Sequence, residues 1–168
     1  MATVTFKESP AHTNGELPKI GSTAPDFLLT DGELKDHKLR DFQGRRKLLS
    51  IVPSLDTGVC ALSAKKFNDA AKANPGIEII FVSCDLPFAQ KRFCTAESLQ
   101  NITTLSMLRS KEFATQYGIL LIDSPLAGLA ARACLVLDEN NKVLYTELVG
   151  EVTQEPNYTK ALEALLSR

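Results

Sequence analysis

Two short apolar runs separated by a segment of helical periodicity constrain the fold of this chain more than any other feature. Lys47 to Val52 is a compact apolar run that ends at Pro53, and Ile77 to Ser83 is a second run. Runs of this length are typical of strands buried in a sheet. Between them, apolar residues recur at helical spacing from Val59 to Lys72, until Asn74-Pro75-Gly76 ends the pattern. These segments predict a strand–helix–strand unit.

The segments on either side extend this pattern. Pro87 to Ala96 predicts a second helix, because proline is tolerated in a first helical turn. Two β-rich runs about a tight polar turn predict a hairpin later in the chain, with strands at Ala131 to Leu137 and Lys142 to Leu148. The remaining predicted elements, in chain order, are an N-terminal hairpin that begins with Thr3 to Phe6 and has turn signals at Ser9-Pro10 and Asn14-Gly15, a strand at Phe27 to Thr30, a solvated charged turn through Arg40 and Asp41 to Arg45-Arg46-Lys47, a strand at Ile102 to Leu105, a helix at Ser110 to Tyr117 and a helix at Asn157 to Leu166.

Length and order of elements together indicate the fold class. The chain has 168 residues, of which 44% are apolar, which is enough for one domain with a buried core. Strands and helices that alternate and then end in a hairpin and a helix indicate an α/β domain, with a mixed central sheet flanked by helices on both faces. No internal repeat or linker interrupts the pattern. We therefore expect a single domain over residues 1–168, with residues 1–17 as an N-terminal hairpin extension.

Charge and hydropathy exclude several classes of partner. The net charge is −1, whereas a dominant non-specific hold on nucleic acid needs a basic excess. The longest apolar runs, such as Ile119 to Ile122, are far shorter than a membrane span. Charged and polar residues interrupt every apolar stretch of residues 1–20, so a secretory signal is not expected. We therefore expect a cytoplasmic protein that binds neither nucleic acid nor a membrane.

The cysteines and histidines narrow the chemistry to that of thiols. The four cysteines match no paired metal-ligand spacing, and no Cys-x-x-Cys occurs, so neither a zinc ribbon nor a thioredoxin-type dithiol is expected. His12 and His37 lie in polar segments that are typical of a solvated surface. The sequence motifs of nucleotide-binding loops and of serine hydrolases are also absent. We expect no metal and no cofactor, and thiols that a reducing compartment keeps free.

Cys60 is the candidate nucleophile because of its position. Pro53 to Cys60 joins the end of a predicted buried strand to the start of a helix, and ligands of open α/β sheets bind at such strand ends. If Thr57 caps the helix, Cys60 is the third helical residue, where unpaired N–H groups and the helix dipole favour a thiolate. The Thr57 hydroxyl is then within reach of the sulfur, whereas Asp56 opposes the anion unless it points away. A buried cysteine alone is more often a small hydrophobe, but this position favours a reactive thiol.

The other three cysteines are less distinctive. Cys94 lies on the second predicted helix, and the residues alone leave open whether it packs in the core or is the second thiol of a switchable disulfide. Cys84 and Cys134 lie within apolar strand patterns, which favours a packing role for both. A mispaired disulfide through Cys84 is the alternative, because it is close in sequence to the Cys94 helix.

Three segments resemble the motifs of one family. Residues 52–60, Val-Pro-Ser-Leu-Asp-Thr-Gly-Val-Cys, carry the pattern Pro-x-x-x-Thr-x-x-Cys, which resembles the peroxidatic motif of peroxiredoxins. Asp85-Leu86-Pro87-Phe88-Ala89-Gln90-Lys91-Arg92-Phe93-Cys94 resembles the resolving-cysteine helix of bacterial thiol peroxidases, the atypical two-cysteine peroxiredoxins. Gly128-Leu129-Ala130-Ala131-Arg132 resembles the segment that supplies the active-site arginine of that group. The resemblance runs from about Pro18 to the C-terminus.

The resemblance implies a fold, an activity and a set of roles. The fold would be thioredoxin-like with an N-terminal β-hairpin, and the protein would be a homodimer. The enzyme would reduce hydrogen peroxide and alkyl or lipid hydroperoxides, with thioredoxin as reductant. Cys60 would become a sulfenic acid and condense with Cys94 into an intramolecular disulfide. Thr57, Arg132 and Pro53 would form the pocket that orients the peroxide.

A Cys60–Cys94 disulfide would also require movement. Bridged Cα atoms lie within about 7 Å, and both cysteines are predicted on helices, so we expect the two helices to unwind locally. Three other functions are compatible with the residues: a general thiol–disulfide oxidoreductase, a non-catalytic redox sensor that changes its binding to a protein partner, and a plain structural domain.

Overall fold

Residues 1–167 are described by a computed structural model. A seven-stranded sheet has the strand order β4-β3-β7-β6-β5-β8-β9, and β1 and β2 form a separate antiparallel hairpin. The strands are β1 Thr3–Phe6, β2 Ser9–His12, β3 Leu28–Thr30, β4 Asp36–Lys38, β5 Arg46–Ile51, β6 Ile77–Ser83, β7 Thr103–Ser106, β8 Ala133–Leu137 and β9 Val143–Leu148. The helices are α1 Gly58–Ala73, α2 Pro87–Ala96, α3 Glu112–Gln116 and α4 Tyr158–Leu166, with a 3-10 helix at Leu39–Phe42.

The centre of the sheet is the predicted strand–helix–strand unit. β5 pairs in parallel with β6, β6 pairs in parallel with β7, and β8 pairs with β5 in the antiparallel sense, so the sheet is mixed as expected. Parallel neighbours need a crossover, which α1 and α2 supply. The carboxyl ends of β5 and β6 therefore lie at the same edge of the sheet, where the loops to α1 and α2 begin.

Both faces of the sheet are covered, which confirms the predicted layering. Side chains of a strand alternate between faces, and in β5 Leu48 joins one apolar cluster while Leu49 and Ile51 join the other. The first cluster contains residues of α1 and α4, such as Phe67 and Leu165, and Cys94 of α2 packs against it. The second contains residues of α3 and of the N-terminal hairpin. The mixed sheet, the helices on both faces and the hairpin are those of a thioredoxin-like fold.

The charged stretch before β5 differs from the sequence-based expectation. Instead of a simple solvated turn, it contains β4 and the 3-10 helix Leu39–Phe42. Asp26 stabilises this arrangement, because its Oδ1 accepts hydrogen bonds from the N–H groups of Phe27 and Leu39, both at 2.9 Å. Such long-range side-chain contacts to the backbone have no local sequence signal.

The N-terminal hairpin turns at a different place from the one its turn signals indicate. Lys7 and Glu8 form the turn with positive φ angles of 50° and 67°, and Ser9-Pro10 lies in β2. The carboxylate of Glu151 accepts hydrogen bonds from the N–H groups of both turn residues, at 3.1 and 3.2 Å, which stabilises a turn that lacks glycine. The hairpin is thereby bound to the segment that follows β9.

No helix within residues 1–167 is both long and apolar enough to cross a membrane.

Candidate active site

Cys60 lies where the sequence predicts it, in the first turn of α1. Thr57 has the extended backbone of an N-cap residue, with φ −100° and ψ 143°, and Cys60 is the third helical residue. The Thr57 side chain, however, makes no cap hydrogen bond. Its Oγ1 lies 2.8 Å from Cys60 Sγ and 3.2 Å from the Ser54 carbonyl oxygen. The hydroxyl is therefore placed to donate to the sulfur instead of capping the helix.

Arg132, the residue directly before β8, contacts the same sulfur. Its Nη1 lies 2.9 Å from Cys60 Sγ, and its Nε donates to the carbonyl oxygen of Val152 at 2.9 Å. The guanidinium is nearly inaccessible, since only 3% of Arg132 is exposed. A positive charge in this position stabilises an anion on the buried sulfur, and the interaction is little screened by solvent.

Cys60 is shielded from solvent, and the neighbouring Asp56 is exposed. Cys60 has no exposed surface, and Pro53 at the end of β5 is buried. The N–H of Cys60 donates to the Thr57 carbonyl oxygen at 3.0 Å. The side chains of Thr57 and Arg132, rather than this N–H, are therefore the donors that reach the sulfur in this conformation.

Cys94 lies on α2, and its thiol is partly buried in the apolar cluster that also contains Cys60. Burial raises the pKa of the Cys94 thiol, and the Thr104 hydroxyl, 4.0 Å from the sulfur, lowers it by a smaller amount. All four cysteines are free thiols. In this conformation Cys94 is therefore a free thiol on a helix, not bonded to Cys60, and its surroundings disfavour the thiolate.

Cys84 and Cys134 have surroundings that suit packing. Burial raises the pKa of the Cys134 thiol to about 12, with the Glu147 carboxylate as the next contribution. Burial also raises the pKa of the Cys84 thiol, although Cys84 is only partly buried. Among the four thiols, Cys60 alone is contacted by an arginine side chain within residues 1–167.

Two supporting groups were not predicted from the sequence. Asp85 accepts hydrogen bonds from Ser54 Oγ at 2.7 Å and from the N–H of Leu55 at 2.8 Å, so it holds the loop before Cys60. The Val152 carbonyl oxygen orients Arg132. Asp85 lies two residues after the predicted strand Ile77 to Ser83, and polar residues near strand ends are a signal that could have identified it. A backbone carbonyl such as that of Val152 has no sequence signal.

The described part of the chain contains no candidate metal site. No group of three or more histidine, cysteine, aspartate or glutamate side chains within residues 1–167 is placed to hold a metal ion.

Comparison with known proteins places the chain in a family. The model of the family named Redoxin matches residues 19–162. The thiol peroxidase of Corynebacterium glutamicum is 48% identical over 165 residues, which are 98% of this chain and 99% of that protein.

Solved structures agree with this relationship. A peroxiredoxin-like protein from Aquifex aeolicus superposes with a TM-score of 0.92 at 36% identity, over 98% of this chain and 96% of that one. The thiol peroxidase from Chromobacterium violaceum superposes with a TM-score of 0.85 at 26% identity, over 94% of this chain and 91% of that one. The chain belongs to the redoxin family and is a peroxiredoxin of the thiol peroxidase type.

Proposed function

We propose that Cys60 is the peroxidatic thiol with which this enzyme reduces hydroperoxides. The observation that supports this role most directly is the pair of donors at its sulfur, Arg132 Nη1 at 2.9 Å and Thr57 Oγ1 at 2.8 Å. A thiolate is the nucleophilic form of cysteine, and charged donors in a water-poor site stabilise it. The same donors can stabilise the charge that develops on the peroxide oxygens during the reaction.

The first step transfers one oxygen atom to the enzyme. The Cys60 thiolate attacks the terminal oxygen of ROOH, the O–O bond breaks, and the products are Cys60–SOH and RO⁻, which takes up a proton to become ROH. Arg132 and Thr57 would orient the peroxide and stabilise the departing oxygen, while buried Pro53 would limit access of water to the sulfur. The step needs no metal or organic cofactor.

The second and third steps regenerate the thiol. Cys94–SH condenses with Cys60–SOH, which forms the Cys60–Cys94 disulfide and releases water. A thioredoxin dithiol then reduces the disulfide by thiol–disulfide exchange and becomes oxidised itself. We propose the cytoplasm as the compartment, because this cycle begins and ends with free thiols.

Steady-state peroxide consumption in the presence of thioredoxin, thioredoxin reductase and NADPH tests these roles. Cys60→Ser should abolish turnover. Cys94→Ser should reduce about one equivalent of peroxide and then stop, because the sulfenic acid has no partner thiol. Cys84→Ser is the matched control and should keep nearly the wild-type rate. Full turnover by Cys60→Ser would show that the reactive thiol lies elsewhere.

The same assay addresses the substrates. We propose hydrogen peroxide and organic hydroperoxides, alkyl or lipid, since apolar side chains such as Leu55 and Phe93 lie in or against the cluster around Cys60. Cumene hydroperoxide and hydrogen peroxide should both be consumed by the wild-type enzyme. Consumption that stops at about one equivalent of either peroxide, with the disulfide still forming, would favour a redox sensor over an enzyme.

We also propose that the enzyme is a homodimer. Leu86 and Phe88, at the start of α2, are 52% and 62% exposed, and Leu86 lines a largely apolar cavity of about 770 Å³ together with Leu108 and Met107. Exposed apolar side chains grouped in this way are typical of an interface. Sedimentation at micromolar concentration should give twice the chain mass of 18.3 kDa, and Phe88→Glu should shift the enzyme toward monomer. A wild-type monomer at all concentrations would contradict the proposal.

A further inference from the structure

Asp85, between β6 and α2, connects the loop before Cys60 to the helix that carries Cys94. We propose that Asp85 is a positioning residue of the redox cycle: its carboxylate keeps the Cys60 loop in the conformation that reacts with peroxide, and it must release that loop before the Cys60–Cys94 disulfide forms. The inference rests on the proposed function, because it assigns a role in forming that disulfide.

The connection to Cys60 runs through four short contacts. Asp85 Oδ1 accepts a hydrogen bond from Ser54 Oγ at 2.7 Å, and Oδ2 accepts one from the N–H of Leu55 at 2.8 Å. The carbonyl oxygen of Ser54 lies 3.2 Å from Thr57 Oγ1, which lies 2.8 Å from Cys60 Sγ. Hydrogen bonds to a charged acceptor are stronger than neutral ones. The carboxylate of Asp85 therefore fixes the position from which Thr57 reaches the sulfur.

The connection to Cys94 runs through the residues that anchor α2. Asp85 directly precedes Leu86, the N-cap residue of α2. Ser83 Oγ donates to Asp85 Oδ2 at 2.7 Å and lies 2.9 Å from Gln90 Nε2, which donates to it from the second turn of α2. One carboxylate thus belongs to both networks, so the loop before Cys60 and the start of α2 are held together.

Gln90 holds the start of α2 to the sheet and carries one polar atom that is unsatisfied in the described part of the chain. Gln90 is completely buried, and its Nε2 donates to Ser83 Oγ and to the Leu105 carbonyl oxygen. Within residues 1–167, its Oε1 is a buried acceptor without a hydrogen-bond partner. An unsatisfied buried acceptor lowers the stability of the conformation that contains it. The hydrogen bonds of Gln90 Nε2 therefore connect the start of α2 to β6 and β7, and through Ser83 to Asp85.

The two chemical steps place opposite demands on this link. Attack of the Cys60 thiolate on ROOH, which gives Cys60–SOH and ROH after proton uptake, needs the loop held so that Thr57 reaches the sulfur. Condensation of Cys94–SH with Cys60–SOH, which gives the disulfide and water, needs both helical segments to move until their Cα atoms are within about 7 Å. Removing the acceptors of Asp85 should therefore slow the first step and accelerate the second.

Rapid-quench mass spectrometry of Asp85→Ala and Asp85→Asn, after mixing with hydrogen peroxide, measures the two steps separately. In Asp85→Ala we expect sulfenic acid to form several-fold more slowly and the disulfide to follow several-fold faster than in the wild type. The equilibrium of the disulfide with dithiothreitol should shift about tenfold toward the disulfide, which is about 30 mV more negative for a two-electron couple. Asp85→Asn keeps an acceptor for Leu55 and can donate to Ser54, so it should recover most of the wild-type behaviour.

Asp26→Ala is the matched control. Asp26 also links two segments by accepting backbone N–H groups, but far along the chain from both cysteines. It should lower stability and leave the disulfide equilibrium unchanged. Ser54→Ala, which removes one donor to Asp85, should reproduce the Asp85→Ala pattern to a smaller extent, even if Asp85→Ala itself does not fold.

Two results would overturn the inference in distinguishable ways. Asp85→Ala and Ser54→Ala that slow both steps, with an unchanged disulfide equilibrium, would assign Asp85 a purely structural role while the proposed function stands. A wild-type enzyme that forms no Cys60–Cys94 disulfide after peroxide treatment would overturn the proposed function and this inference together.

Discussion

At the scale of single residues, the contacts of a cysteine distinguish Cys60 more clearly than its burial does. Cys60 and Cys134 are both buried, with 0% and 1% of their surfaces exposed. Burial raises the pKa of Cys134 to about 12, because the loss of solvent around an anion there outweighs the smaller, opposite contributions of the Ser50 hydroxyl and the Arg132 charge. At Cys60, Arg132 and Thr57 lie within 3 Å of the sulfur and can replace the lost solvent.

Substitution of Arg132 tests that electrostatic argument. Arg132→Met should slow oxidation of Cys60 by hydrogen peroxide about 10²- to 10³-fold, the usual effect of removing one preorganised donor. Arg132→Lys keeps the charge, but a lysine lacks the planar guanidinium that contacts Val152 and Cys60 at the same time. Its rate of Cys60 oxidation should therefore lie between those of the wild type and Arg132→Met. The rate is measured with a peroxide electrode at single turnover, since the chain has no tryptophan to serve as a fluorescent probe.

Arg46→Met is the control for this substitution. Arg46 also donates to backbone carbonyl oxygens, those of Ala164 and Leu165 at the end of α4, but contacts no cysteine. Arg46→Met should change the stability of the fold without changing the rate at which hydrogen peroxide oxidises Cys60. Equal rates for Arg132→Met and the wild type would contradict the role proposed for the guanidinium.

Contacts between residues that are close in sequence could be predicted, whereas contacts between distant residues could not. Thr57 and Cys60 are three residues apart at a helix start, so their proximity follows from helix geometry alone. Arg132 was identified by resemblance to a motif, and no rule of spacing relates it to Cys60. Asp85 and the Val152 carbonyl oxygen depend on tertiary contacts between distant segments, which local sequence patterns do not encode.

At the scale of elements, the helices and strands of the central unit follow closely from hydrophobic periodicity. β6 spans Ile77–Ser83 and α2 spans Pro87–Ala96, as predicted, because each is bounded by strong signals such as Asn74-Pro75-Gly76 and Pro87. β4 was missed because its three residues, Asp36–Lys38, are charged or polar and form an edge strand stabilised by pairing with β3. Such strands carry no apolar pattern.

The contacts of the N-terminal hairpin with Glu151 should make the stability of the protein depend on pH. Hydrogen bonds to the Glu151 carboxylate, first from the Thr5 hydroxyl and then from Thr153 and Glu8, lower its pKa from 4.5 to about 2. A carboxylate with a depressed pKa in the folded state contributes stability above its unfolded pKa. That contribution should be present above about pH 4.5 and should be lost as the pH falls toward 2.

Glu151→Gln tests this pH dependence. The variant should unfold at lower urea concentration than the wild type at pH 7, and the difference should shrink steadily between pH 4.5 and 2, as followed by far-ultraviolet circular dichroism. Glu163→Gln, at an exposed glutamate of α4, should show no comparable change. A Glu151→Gln difference that stays constant across this range would show that the hydrogen bonds do not depend on the charge.

At the scale of the whole molecule, the parallel pairing of β5 with β6 determines where the chemistry can occur. Both strands end at the same edge of the sheet, so the loops to α1 and α2 start side by side, and Asp85 bridges them. Fold class and layering followed from the order of apolar runs, and comparison with relatives confirmed them. The helices predicted from periodicity indicate that a Cys60–Cys94 disulfide would require local unwinding, but periodicity does not give the path of that movement.

The most direct test of the whole account is a peptide map of the enzyme after one equivalent of hydrogen peroxide, with free thiols alkylated and no reductant added. The account predicts one disulfide, which joins the peptide containing Cys60 to the peptide containing Cys94, and alkylated Cys84 and Cys134. In Cys94→Ser, the Cys60 peptide should instead carry a single oxygen that dimedone traps. Oxidation at Cys84 or Cys134, with Cys60 fully alkylated, would contradict the central claim.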